Sequence, residues 1–217
     1  MGKNRDKNGE TMSNMVTDDF EHLEARIRRL EDIFEIQNLQ GRYQHYLTLG
    51  MMEKIVDLFA KKTPGVTVEI SDGGVYEGIE GVQKLFCGIM RGLLEKIGVY
   101  EEHDAVSPVI EVAKDGETAK ALWFSPGVMA SGPTKDQWWC WGKYYAEYVK
   151  EDDKWKFWHF HFYLTFRTPF EEGWVKQPVK GSIRNHPEFK PDKPSTHYKP
   201  YAPDEINIML PPPPDPY

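Results

Sequence analysis

The chain reads as an α+β fold, with helices first and a curved sheet after them, and three observations carry that reading. Apolar residues recur at three- and four-residue steps as far as about residue 97, and beyond it the period changes to two. Of the 29 aromatic side chains, 14 lie between Gln137 and Phe170, in the runs QWWCWGKYYAEYVK and KWKFWHFHFYLTFR joined by Glu151-Asp152-Asp153. A hairpin that is aromatic on both faces cannot bury everything against one core. Its second surface must meet helices, a subunit or a flat apolar ligand, which makes it a candidate wall of a binding pocket.

Each element has its own justification. Residues 1–16 are polar and rich in Gly, Asn and Lys, and are expected to be disordered. Asp18 or Asp19 then caps a long helix whose stripe runs through Leu23, Ile27, Leu30, Ile33 or Phe34, Ile36, Leu39 and Tyr43 to Gly50. A second helix, Met52 to Lys61, stops before Thr63-Pro64-Gly65. VTVEIS and VYEG flank Asp72-Gly73-Gly74 and form a small hairpin. A third helix, about Ile79 to Ile97, carries Val82, Leu85, Phe86, Ile89, Met90, Leu93 and Leu94. HDAVSPVIEVA, TAKALWFSPGVM and the two aromatic runs then make four long antiparallel strands. The C-terminal segment 178–217 holds 11 of the 16 prolines and is expected to be extended, lying on the domain or on a neighbouring subunit. The domain proper is thus 17–170 and the tail 171–217. A sheet wrapped on helices leaves an open end, and a small ligand belongs there.

Composition narrows the function. A net charge of −7 with Lys and Arg scattered argues against a nucleic-acid surface. Cys87 and Cys140 stand at neither metal nor redox spacing and read as small buried apolar residues. No run approaches the ~20 apolar residues of a membrane span, and no signal-length stretch opens the chain. A cytoplasmic protein without membrane contact is expected.

Several side chains are candidates for chemistry. His159 and His161, two apart on a strand, share one face with Trp155, Phe157 and Tyr163 because side chains alternate, and an imidazole there can both accept and donate protons. No further ligand at metal spacing accompanies them, so no metal is expected. His103 stands where helix gives way to sheet, beside a cavity mouth, with Glu101 and Glu102 read as solvated loop acids. Tyr43 on the last turns of the long helix can donate to a developing oxyanion, and Tyr46 shares its stripe. Trp123, Trp139 and Trp141 read as stacking surface or as core, and Arg42 and Arg167 as surface residues or anion holders. No phosphate loop, dinucleotide fingerprint or nucleophile elbow occurs, so no cofactor is expected.

IRRLEDIFEIQNLQGRYQHYLTLGMMEKIVDLFA, GVYEGIEGVQKLF, HDAVSPVIEVAKDGETAKALW and WGKYYAEYVKEDDKWKF together resemble the SnoaL-like family of the nuclear-transport-factor-type, cystatin-like superfamily, over about residues 25–170. The resemblance implies a cystatin-like α+β cone, three helices packed in a curved mixed or antiparallel sheet, here with an extended Pro-rich tail. Dehydratases of the family pair a first-helix Tyr with an Asp five positions on and a His at the start of the sheet. Tyr43 and His103 match two of these, and Thr48 stands at the Asp position, leaving His103 or His159 as the base. The tail with WFSPG and WWCWGKY is similar to formaldehyde-releasing lyases acting on lignin-derived diaryl propanes. The expected function is a cofactor-independent lyase or isomerase for a hydrophobic aromatic or polycyclic molecule, by dehydration or formaldehyde elimination. His103, Tyr43 and His159 are expected to be catalytic, and His161, Tyr46, Thr48, Trp123, Trp139, Trp141 and Phe157 to bind substrate. A homo-oligomer, dimer or trimer, is expected. The alternatives are a non-catalytic module for an apolar ligand and an interaction subunit.

Overall fold

A computed structural model describes residues 6–181 and 190–217, with side chains from residue 19 onward. Helices α1 (Asp6–Thr48) and α2 (Met52–Val56) come first, followed by β1 (Thr67–Ile70) and β2 (Val75–Glu77). A third helical stretch has three parts: α3 (Gly78–Gln83), a π-helical segment (Lys84–Met90) and α4 (Arg91–Leu94). Strands β3 (Tyr100–His103), β4 (Val106–Val112), β5 (Thr118–Ser131), β6 (Asp136–Glu151) and β7 (Lys154–Pro169) follow. The sheet order is β2-β1-β7-β6-β5-β3, with β4 also on β5. The pairing of β1 with β7 is parallel and the others are antiparallel, so the sheet is mixed.

Three helical expectations need correction. α1 begins at Asp6, so the segment expected to be disordered over 1–16 is helical from Asp6 on, while residues 1–5 lie outside the described residues. Extending a nucleated helix costs little per residue. α2 ends at Val56 rather than Lys61, because Phe59 forms a parallel bridge to Phe157, with Phe157 N–H donating to Leu58 and Ala60 N–H to Phe157. Sheet bonding there replaces the helical bonds that would have continued. The third helix ends at Leu94, and residues expected in its last turn lead instead into β3. That strand makes His103 the last residue of one strand, opposite Gly127, just before the partner of β5 changes to β4.

Two irregularities between β6 and β7 decide which aromatic side chains face the helices. Glu147 pairs with His159 and Tyr148 with Phe157, so Trp158 is an extra residue. Gly142 pairs with Leu164 and Trp141 with Phe166, so Thr165 is another. Each extra residue reverses the alternation beyond it. Trp155, Phe157, Phe160, Phe162 and Leu164 therefore all join the core. His159, His161 and Tyr163 face the other way, which corrects the shared face expected from unbroken alternation. After the second bulge Arg167 turns inward, opposite buried Cys140. Gly142 sits where any Cβ would lie 2.4 Å from the Phe162 ring, so only glycine lets that ring lie across β6.

The proline-rich tail covers the outer face. Val179 bridges Arg167 and Lys193 bridges Val75. Thr196 donates to Glu69 through its N–H (2.8 Å) and its hydroxyl (2.7 Å). Tyr201 N–H donates to the Thr165 carbonyl, Lys143 Nζ to the Met209 carbonyl, and Tyr217 Oη to Thr118 Oγ1. The chain thus crosses from the β1–β2 edge to β5, so the second aromatic surface meets the protein's own tail. Residues 182–189 of the expected tail lie outside the described residues.

Candidate active site

The open end of the cone holds a cavity of about 420 Å³, a size typical of small-molecule sites. Leu47 of α1, Phe86 and Met90 of the π-helical segment, and Leu93 and Leu94 of α4 form one side. Met129 of β5, Trp138 and Cys140 of β6, and Phe162 and Leu164 of β7 form the other. Tyr43, Glu101, His103, Tyr144 and Arg167 reach this apolar space, and Ser71, Lys96, Tyr100, Ser131 and Lys180 also stand on its lining.

Strand alternation explains how β3 delivers two of them. Glu101 and His103 are two apart and point the same way, and His103 Nε2 lies 3.0 Å from Glu101 Oε1, both side chains nearly shielded from solvent. The imidazole lies against Gly127, where a Cβ would come 2.4 Å from Nδ1, and edge-on to Phe162. Among the described residues, His103 Nδ1 is buried with no hydrogen-bond partner. The Glu101 carboxylate and the His103 imidazole both line the cavity. Tyr43 is buried on α1 among Phe86, Tyr144, Phe157 and Phe160. Burial first, and the Glu101 charge second, hold its phenol protonated far above its ordinary range. Burial does the same to Tyr144, and pushes the Cys140 thiol up to about 12, so the cavity offers phenol donors and an inert thiol. Arg167 stands at the rim, its Nη2 donating to the Gly181 carbonyl and its Nε to Lys180.

Of the residues expected from the sequence, Tyr43 and His103 meet in this cavity and the others stand elsewhere. His159 lies on the outer face, its Nδ1 2.9 Å from Thr67 Oγ1, and burial lowers its pKa. His161 is buried under the tail, stacked on Tyr163 and 3.5 Å from Glu69. Tyr46 packs at the edge of the core under Lys54. Thr48 lines two neighbouring clefts. Trp123 is buried and donates to Tyr148 at 3.4 Å, and Phe157 is a fully buried core residue. Trp139 and Trp141 lie on the outer face, stacked on Phe170 and Phe166. Trp138, Tyr144 and Glu101 were missed. The expectation of a buried Cys140 carried the signal for the first two, because a buried Cys140 puts even-numbered residues of β6 inside and Trp139 and Trp141 outside.

The buried imidazole under the tail gives a pH prediction. Burial, with His197 nearby, brings the His161 pKa down to about 3. The unfolded chain, with an ordinary value of roughly 6.5, binds the extra proton between those limits. The neutral ring's contribution to stability is complete above about pH 6.5 and is lost as pH falls toward about 3. His161→Phe is expected to flatten the stability–pH curve in that window by up to about 1.4 kcal/mol per pH unit. Urea midpoints compared at about pH 4.5 and 7.5 read the change, and a substitution effect identical at both would disprove the assignment.

The SnoaL-like domain model matches residues 28–161, more than half of the chain and most of the residues that line the cavity. The chain belongs to the SnoaL-like family. Solved structures agree on the fold. The hexachlorocyclohexane dehydrochlorinase LinA-type3 of Novosphingobium barchaimii superposes with a TM-score of 0.57 at 16% identity, over 67% of this chain and 94% of that one. A scytalone dehydratase-like protein of Novosphingobium aromaticivorans gives 0.57 at 17% identity, over 72% and 99%. An NTF2-like protein with a cystatin-like fold from the same organism gives 0.53 at 21%, over 65% and 87%. No curated protein sequence matches. At these identities the likeness concerns the fold, and it places this SnoaL-like chain on the cystatin-like cone expected of it. Among the described residues, no helix is long and apolar enough to cross a membrane.

Proposed function

We propose that this chain is a cofactor-independent lyase or isomerase that moves a proton on a hydrophobic aromatic or polycyclic small molecule. The observation that supports it best is the His103–Glu101 pair, 3.0 Å apart within an apolar cavity and in electrostatic reach of a protonated Tyr43. The Glu101 carboxylate takes the substrate proton, while His103 Nε2–H donates to it and holds it in place. Negative charge that develops on a substrate oxygen accepts a hydrogen bond from the Tyr43 hydroxyl, with Tyr144 beside it. Phe86, Trp138 and Phe162 hold flat rings. In a dehydration the C–H electron pair becomes the new double bond, and the leaving hydroxyl takes the proton held on Glu101 and departs as water. In a diaryl propanediol the proton comes from the terminal hydroxyl, the C–C bond breaks to release formaldehyde, its electron pair becomes the new C=C bond, and the hydroxyl on the next carbon takes the proton held on Glu101 and leaves as water. The neighbours support a lyase of this broad type, and the diaryl propane substrate rests on the sequence resemblance.

Incubation with diaryl propanediols, hydroxysteroids and polyketide-like aromatics, followed by mass spectrometry, tests the reading. Loss of water or formaldehyde is expected, and Tyr43→Phe is expected to lower kcat on the reacting compound about 100-fold, with a smaller change in KM. Ligands that bind yet return unaltered would assign the cavity to carriage instead of catalysis.

A further inference from the structure

α1 carries two apolar stripes, and the domain uses only one. Ile36, Leu39, Tyr43 and Leu47 are buried in the core, with Arg29 and Asp32 of the same side tied to Val112, Glu111 and Trp155. Phe20, Leu23, Ile27, Leu30 and Phe34 form the other stripe, each 46–67% exposed. At 100° per residue the two stripes are roughly 175° apart, so a partner on the second stripe would not collide with the domain. The exposed positions follow one another at steps of three, four, three and four. That is the a/d spacing of a helix built to pair with another helix, whereas burial against a globular core normally recruits neighbouring e or g positions as well. Gln37 and Gly41, the next two positions in the frame, end the seam. Its length is about 21 Å at 1.5 Å per residue.

We infer that α1 pairs with α1 of a second copy of this chain, in parallel, as a two-stranded coiled coil along Phe20–Phe34. The flanking charges choose the partner and the direction. With Phe20 at position a, the e positions are Glu24 and Glu31 and the g positions are Asp19, Arg26 and Ile33. In a parallel pair each g residue meets the e residue five places on in the other helix, which sets Arg26 against Glu31 twice. Asp19 meets Glu24, a like pair that Arg28, 3.8 Å from Glu24 on the same helix, offsets. An antiparallel pair would instead bring the Glu24 and Glu31 edges together. Neither the stripe nor its flanks lines the 420 Å³ cavity, so pairing and chemistry are separable.

Sedimentation equilibrium of the full chain tests this. A concentration-dependent dimer is expected, and Leu23→Glu with Leu30→Glu is expected to raise its dissociation constant by about 100-fold or more. Arg26→Glu weakens the dimer, and adding Glu31→Arg restores it; these surface changes leave the core untouched. Leu23→Cys cross-links the dimer on oxidation, since a parallel pair brings the two d positions within disulfide reach. A monomer at all concentrations, a trimer, or a dimer indifferent to the glutamates overturns the inference. So does a dimer in which Leu23→Cys fails to cross-link.

Discussion

Glu101→Gln is expected to leave the fold intact and to lower turnover on the reacting panel compound by 10²- to 10⁴-fold, the range of a positioned acid–base group. The amide keeps the shape of the side chain and still accepts the His103 N–H, so packing around β3 changes little. What disappears is the basic oxygen. Glu101→Ala is expected to be comparably slow and to recover part of its rate in added formate, which fits the vacated space and supplies a carboxylate. Formate should not help Glu101→Gln, where the space is full. A normal rate in Glu101→Gln, alongside a slow His103→Ala, would move the proton to the imidazole and discard the assigned roles.

Gly127→Ala is expected to damage both stability and activity from a residue with no chemistry of its own. Its Cβ would lie 2.4 Å from His103 Nδ1 and 2.6 Å from the Glu102 carbonyl oxygen. The imidazole cannot turn aside without leaving Glu101, and the carbonyl belongs to the strand that carries both residues. β3 must therefore shift, at a cost typical of overpacking, about 1–3 kcal/mol. A displacement near 1 Å at the pair costs about 100-fold in rate. Gly41→Ala is the control, since a Cβ there meets nothing within 4 Å among the described residues, and a helical alanine is worth up to about 1 kcal/mol over glycine. Thermal melts and rates on both variants check the contrast, and a Gly127→Ala protein indistinguishable from Gly41→Ala would show that β3 is not held as described.

The candidate site was half legible for identifiable reasons. Tyr43 and His103 sit near the ends of their elements, and a position at an element end is fixed by where apolar periodicity starts and stops. Glu101 was read as a solvated loop acid because the short β3 gives too few residues to show a period of two. The aromatic hairpin announced two strands and two rich faces, but alternation defines faces only up to parity. Trp158 and Thr165 each reversed that parity, and nothing in WKFWHFHFYLTFR marks which residue will be extra. His159 and His161 were lost to the outer face for that reason, while the second reversal restored the original parity at Arg167.

Apolar spacing, turn residues and the change of period determine by themselves that this chain makes an α+β cone, in what order its elements come, and which helix residue and which strand-end histidine approach its mouth. Those are local properties, carried by neighbours in sequence. Which face of β7 turns inward, that Glu101 meets His103, and that one stripe of α1 enters the core while the other stays outside were decided only in three dimensions. Register between strands and the partner of an apolar stripe are contacts between distant residues, and periodicity along one segment does not encode what lies across from it.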